Sequence, residues 1–191
     1  MSDLKAEILK GTPPSQARVR SLNLSGVKEE FSLPGELECF TLTLANSSVN
    51  RIPERLKVEF RLDLTGCVNV TALPRGLKAG SLILNGCSNL EALPEDLTAN
   101  FLNLEGCSKL VNWPDSAEVS MGSVTARGCA KLGALPSTLG PLTNLDLNGC
   151  SRIHSLPAGL KLSGWLDIAG TGITSLPESL TGVQLRWRGV N

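Results

Sequence analysis

The sequence predicts an α/β solenoid. It is a curved array of short parallel strands with an irregular or 3-10 return on the convex side and a short N-terminal helical cap. Three observations predict it. A six-residue pattern, clearest in LDLTGC from Leu62 and LDLNGC from Leu145, recurs at Leu22, Leu42, Leu62, Leu82, Leu102, Val124, Leu145, Leu166 and Leu185, in steps of 20, 20, 20, 20, 22, 21, 21 and 19 residues. A leucine-like residue stands before a proline once in each step, from Leu33-Pro34 to Leu176-Pro177. The first residues lack both marks and read as a capped helix. A fixed period of this length is the mark of stacked repeats.

Taken in order, residues 1–16 are the cap. SDLKAEILKG carries Leu4, Ile8 and Leu9 at helical spacing, Ser2 as N-cap and Gly11 as stop, and TPPS breaks it. Residues 17–191 form the solenoid, with eight repeats and a final strand at LRWRGV. The two leucines of L-x-L share one strand face, because side chains alternate with period two. The Gly-Cys step turns the chain off the strand. Proline then fixes φ and donates no backbone hydrogen bond, which suits an extended or 3-10 return. Eight of the 11 prolines are punctuation of this kind. A second leucine follows at Leu37, Leu56, Leu77, Leu97, Leu139, Leu160 and Leu180, with Ala117 in the 22-residue repeat. That longer repeat, WPDSAEVSMGS, is expected to bulge on the convex side or to form a contact loop.

Eight agreeing registers over residues 19–191 resemble the leucine-rich-repeat family, whose strand reads L-x-x-L-x-L-x-x-N/C-x-L. The short step and the L-P-x-x-L signature are similar to the bacterial subclass. LDLTGC and LDLNGC are similar to its cysteine-type repeats. The leading leucine is replaced at Ala79 and Ala99. The resemblance implies parallel strands on a concave face, no cofactor, and a role in binding.

The resemblance also bears on the cysteines. Cys67, Cys87, Cys107, Cys129 and Cys150 occupy one column, shared with Val27, Ser47, Thr171 and Val190. In the family this position points inward at the strand-to-loop corner. Cysteine is a small, readily buried hydrophobe with a weak S–H donor. The column is therefore expected to be a structural cysteine ladder. The absence of a C-x₂-C pair speaks against a metal or cluster site. Cys39 stands outside the column, just before the second strand, as another core filler.

Composition removes other classes. The formal net charge is zero, so no basic excess marks a nucleic-acid or membrane-surface binder. No apolar run approaches 20 residues. The N-terminus has acidic residues and no apolar core, so it does not read as a secretory signal. Reduced thiols in a cytoplasm are the expectation, with secretion as an effector without a cleaved signal as the alternative.

Candidate contact residues stand on the outward strand columns. Arg61, Asp63, Phe101, Glu105, Arg127, Asp146, Trp165, Asp167, Arg186 and Arg188 interrupt columns of small polar residues. Interface anchors are enriched in aromatics and arginine. Asp146 and Asp167 are expected to be cross-strand neighbours. Paired carboxylates can carry acid–base chemistry, but a solvated pair neutralised by Arg186 is the simpler expectation. His154 is the only histidine and is expected on an exposed edge, and the glycines sit at repeat corners rather than in a phosphate loop. The sequons at Asn23, Asn46 and Asn69 are short chance patterns.

The expected function is non-catalytic recognition of another protein through the concave face. The alternatives are the substrate-reading part of a bacterial effector or larger protein, and a thiol or metal protein built on the cysteine column. A homodimer through the C-terminal strand edge is a further expectation, because an unpaired edge invites pairing.

Overall fold

A computed structural model describes residues 3–119 and 121–186. It is a parallel β-solenoid of about eight turns. One helix, α1 (Leu4–Leu9), precedes ten strands: β1 (Gln16–Asn23), β2 (Glu36–Thr43), β3 (Arg55–Asp63), β4 (Lys78–Ile83), β5 (Thr98–Asn103), β6 (Glu118–Val119), β7 (Ser123–Thr125), β8 (Asn144–Asp146), β9 (Trp165–Asp167) and β10 (Gln184–Leu185). The strands follow one another in sequence order in one sheet, and β6 also pairs with β5. Register pairs Leu22, Leu42, Leu62, Leu82 and Leu102 rung by rung, then Val124, Leu145, Leu166 and Leu185. Among the described residues, helix content is confined to α1 and a 3-10 turn at Glu178–Leu180.

The L-x-L alternation builds the core. Leu42 and Leu44, Leu62 and Leu64, Leu82 and Leu84, and Leu102 and Leu104 are fully buried. Each such side chain contributes about 1.5–3 kcal/mol by leaving water. The proline marks the return. Its carbonyl accepts from the N–H of the leucine three residues on, as at Leu56–Pro53, Leu139–Pro136 and Leu160–Pro157. This tight turn is what L-P-x-x-L encodes, and it sends both leucines inward.

The α1 N-cap is Asp3, not Ser2, which lies outside the described residues. The Asp3 carboxylate accepts from the Lys5 N–H at 3.1 Å. Ile8 is fully buried against the first turn and Leu4 packs beside it, whereas Leu9 faces solvent.

The first three strands are longer than the repeat pattern alone implies. In β2 and β3, Leu37, Cys39, Leu56 and Val58 extend the alternation upstream of L-x-L and are all buried. Cys39 thus lies inside β2 rather than before it. The register shifts between Cys39 and Thr41, which leaves Phe40 and Thr41 both facing out at a bend. Later turns place Pro141 or Gly164 in this leg, and their strands shrink to three residues.

The two extra residues of the fifth repeat fall at the same bend, not on the convex return. They separate β6 from β7, and Met121 takes a left-handed φ of 69°. Its N–H reaches the Pro141 carbonyl at 2.7 Å. A Cβ on Gly122 would lie 1.9 Å from the Asn100 carbonyl oxygen, so only glycine fits there.

Candidate functional site

The cysteine column is buried along its whole length. Cys67, Cys87, Cys107, Cys129 and Cys150 are all inaccessible, and all six cysteines are free thiols. Each column thiol donates to a carbonyl of the preceding turn. The Sγ–O distances are 3.0 Å for Cys67 to Leu44, 3.1 Å for Cys87 to Leu64, 3.2 Å for Cys107 to Leu84, 3.1 Å for Cys129 to Leu104 and 3.0 Å for Cys150 to Ala126. Those carbonyls also accept from the corner N–H of their own turn. The strand ends have left the ladder here, and the thiols provide a second donor. Burial pushes the Cys87 and Cys129 thiols up to about 12 and Cys39 and Cys150 up to about 11. Cys67 and Cys107 are raised by the same cause. A thiol held neutral at such values is a poor nucleophile and metal ligand. No group of three or more His, Cys, Asp or Glu among the described residues is placed to hold a metal ion.

The outward strand columns differ from expectation in their acids. Asp63, Asp146 and Asp167 lie on the outward side but are only 9%, 6% and 1% exposed. They are not solvated. Each uses Oδ1 to accept the N–H two residues on: Thr65, Asn148 and Ala169, all at 3.0 Å. Asn23 and Asn103 do the same for Ser25 and Glu105. These side chains cap the strand end by a local Asx turn.

The charges around them are ordered. Arg61 Nη2 bonds Asp63 Oδ2 at 2.8 Å. Burial opposes the Asp63 charge, but hydrogen bonds from Arg61 and Thr65 outweigh it, and its carboxyl is held below the usual range. Arg127 Nη2 bonds Asp146 Oδ2 at 2.9 Å and stands 4.0 Å from Asp167 Oδ2. Asp146 and Asp167 are direct register partners, as expected. Arg186 does not neutralise Asp167 by an ion pair. Its Cζ lies 4.1 Å from the centre of the Trp165 ring, a cation–π contact. Trp165 and Phe101 are half-buried rather than fully exposed, and Glu105 is exposed. Asn144 links their neighbourhood, donating to Ser123 Oγ and accepting from the Trp165 N–H at 3.0 Å each. Arg188 and Val190 lie outside the described residues, and with them most of the strand edge expected to pair in a homodimer. His154 is exposed, as expected.

Sequence reasoning missed a second feature. Phe40 and Phe60 stack with centroids 5.1 Å apart and planes 6° from parallel, yet they are 43% and 54% exposed. A separate groove of about 1090 Å³ runs along the upstream legs of β1–β5, lined among others by Arg18, Glu38, Lys57 and Lys78. Arg18 pairs with Glu38 at 3.2 Å, and Arg55 pairs with Glu36. The signal was present in ELECF and RLKVEF, where alternation continues upstream of the repeat column.

Among the described residues no helix is long and apolar enough to cross a membrane. Comparison of the chain with family models, with curated proteins and with solved structures finds no match.

Proposed function

We propose that this chain is a non-catalytic protein-recognition module of the leucine-rich-repeat type, with α1 as its N-terminal cap and a protein partner on the strand face. One observation carries the reading. The outward columns hold a file of polar and aromatic groups, of which Arg61 with Asp63, Arg127 with Asp146, and Trp165 beneath Arg186 are held by contacts, with Phe101 and Glu105 between them. Side chains positioned before binding lose little freedom on contact, which favours affinity. Aromatic and arginine anchors at a largely polar surface are the usual composition of a recognition patch. Repeat arrays present extended faces of this form. Six free, buried thiols fit a reducing compartment, and a cytoplasmic setting accompanies the proposal.

The test is affinity capture from a lysate of the native host, with the chain beside a Phe101→Ala/Trp165→Ala variant of matched stability. A protein held by the unaltered chain and lost by the variant is the expected result. Equal capture by both would move the contact elsewhere, with Phe40 and Phe60 the next residues to replace. Capture of nothing specific would end the recognition reading.

A further inference from the structure

We propose that Asp146 and Asp167 form a seat for a basic side chain of the partner, best an arginine, which enters as the Arg127 guanidinium swings from the pair toward Glu105. This rests on the reading of the strand face as a protein-recognition surface and gives one contact its chemistry.

The starting point is an oxygen without a donor. Asp167 is 1% exposed, its Oδ1 caps the Ala169 N–H, and its Oδ2 has no hydrogen-bond partner among the described residues. A buried charged oxygen left in this state is costly. The fold does not need the charge. Asn103, at the equivalent place in β5, caps the Glu105 N–H at 2.9 Å with an amide oxygen.

Among the described residues, the cations nearby are already committed. Arg127 bonds Asp146 Oδ2 and stops 4.0 Å short of a bond to Asp167 Oδ2. Arg186, which follows the register partner of Leu166, lies over the Trp165 ring instead. Glu105, in the outward column of Arg127 one turn earlier, adds a third carboxylate close enough to bear on Arg127. Three carboxylates therefore share one guanidinium. A second guanidinium completes the set: Arg127 turns to Glu105, and the newcomer bonds the Oδ2 atoms of Asp146 and Asp167. Arginine suits this better than lysine, because its planar fork can address two acceptors at once.

The test titrates the full chain with acetyl-Gly-Arg-Gly-amide and with its citrulline counterpart, which keeps the shape without the charge. The readout is the backbone N–H signals of Asn148 and Ala169, which bond the two carboxylates. The arginine peptide is expected to bind at least tenfold more tightly and to move both signals. Asp167→Asn keeps the cap and should lose the preference. Arg127→Ala frees both carboxylates and should strengthen arginine-peptide binding severalfold. Equal binding of the two peptides by the native chain and by Arg127→Ala would overturn the seat. Capture of a partner that needs Trp165 but not the Asp167 charge would also overturn it, while leaving the recognition reading intact. Seating of the arginine peptide with no partner captured would do the reverse.

Discussion

Raising the pH from 7.5 to 10 should remove much of the stability of this fold, and the cysteines should be the cause. A group whose pKa is higher folded than unfolded contributes stability that is complete below the unfolded value. That stability is lost as pH climbs toward the folded value. Here the ordinary thiol value is 9.0, and Cys39, Cys87, Cys129 and Cys150 are pushed to about 11 or 12, with Cys107 raised as well. At pH 10 each such thiol is mostly ionised in the unfolded chain and neutral in the folded one. The loss is on the order of 1 kcal/mol per thiol, several kcal/mol for the set together. That is comparable with the whole stability of an ordinary domain, about 5–15 kcal/mol. The absorbance window is clean because the chain has no tyrosine to ionise there. The assay is urea unfolding followed by circular dichroism at both pH values, with thiolate absorbance near 240 nm read on the folded protein. The expected result is a large drop in unfolding free energy with little thiolate signal before unfolding. Equal stability at pH 7.5 and 10, or native thiolate absorbance rising near pH 9, would refute the argument that these thiols are sealed in the core.

Other outcomes follow from single contacts. Gly122→Ala should destabilise by about 2–3 kcal/mol, since its Cβ would meet the Asn100 carbonyl oxygen at 1.9 Å and overpacking against backbone is costly; urea midpoints check this. Asp63→Ala should cost about 1–2 kcal/mol through the orphaned Thr65 N–H, while Asp63→Asn should keep most of the stability, as Asn23 and Asn103 do the same work. Leu102→Ala, at a fully buried rung, should cost about 2–5 kcal/mol in the same measurement. Phe60→Ser should change stability by less than about 1 kcal/mol, because the ring is 54% exposed, and should lower the binding of an apolar dye.

The repeat register was legible from the sequence because one leucine and one proline per step are visible without any knowledge of the third dimension. The rung pairs from Leu22 to Leu185 follow from alternation and spacing alone, whereas the inward turn of the cysteine column was implied by the resemblance to leucine-rich repeats and not by alternation, which would send a residue three after an inward leucine outward. The acids were harder. Alternation correctly put Asp63, Asp146 and Asp167 on the outward side, but it carries no information on what covers them. Their burial comes from the local Asx turn and from nearby arginines, Arg61 two residues before Asp63 in the same strand and Arg127 one turn, 19 residues, before Asp146. The bend at Phe40 and Phe60 was hidden for another reason. A repeat alignment fixes attention on columns shared by all turns, whereas this feature exists only where the early turns add Cys39 and Val58 upstream. Arg186 was read as the counter-ion of Asp167, yet the face of Trp165 holds its guanidinium instead.

The thiol-to-carbonyl bonds bear on how such a chain can change length. Each column cysteine reaches back one turn, to an oxygen that every regular turn offers in the same place. A deletion of one whole turn, such as residues 82–101, therefore brings Cys107 to the carbonyl of Leu64 and leaves no donor stranded. A deletion of half a turn strands both the thiol and the oxygen. Growth and shrinkage by tandem copying are thus accommodated in whole turns, with one or two further residues absorbed at the upstream bend, as in the 22-residue repeat, where Cys129 still reaches Leu104. The thiol column acts as a length gauge on the history of the chain as well as a seam in its core.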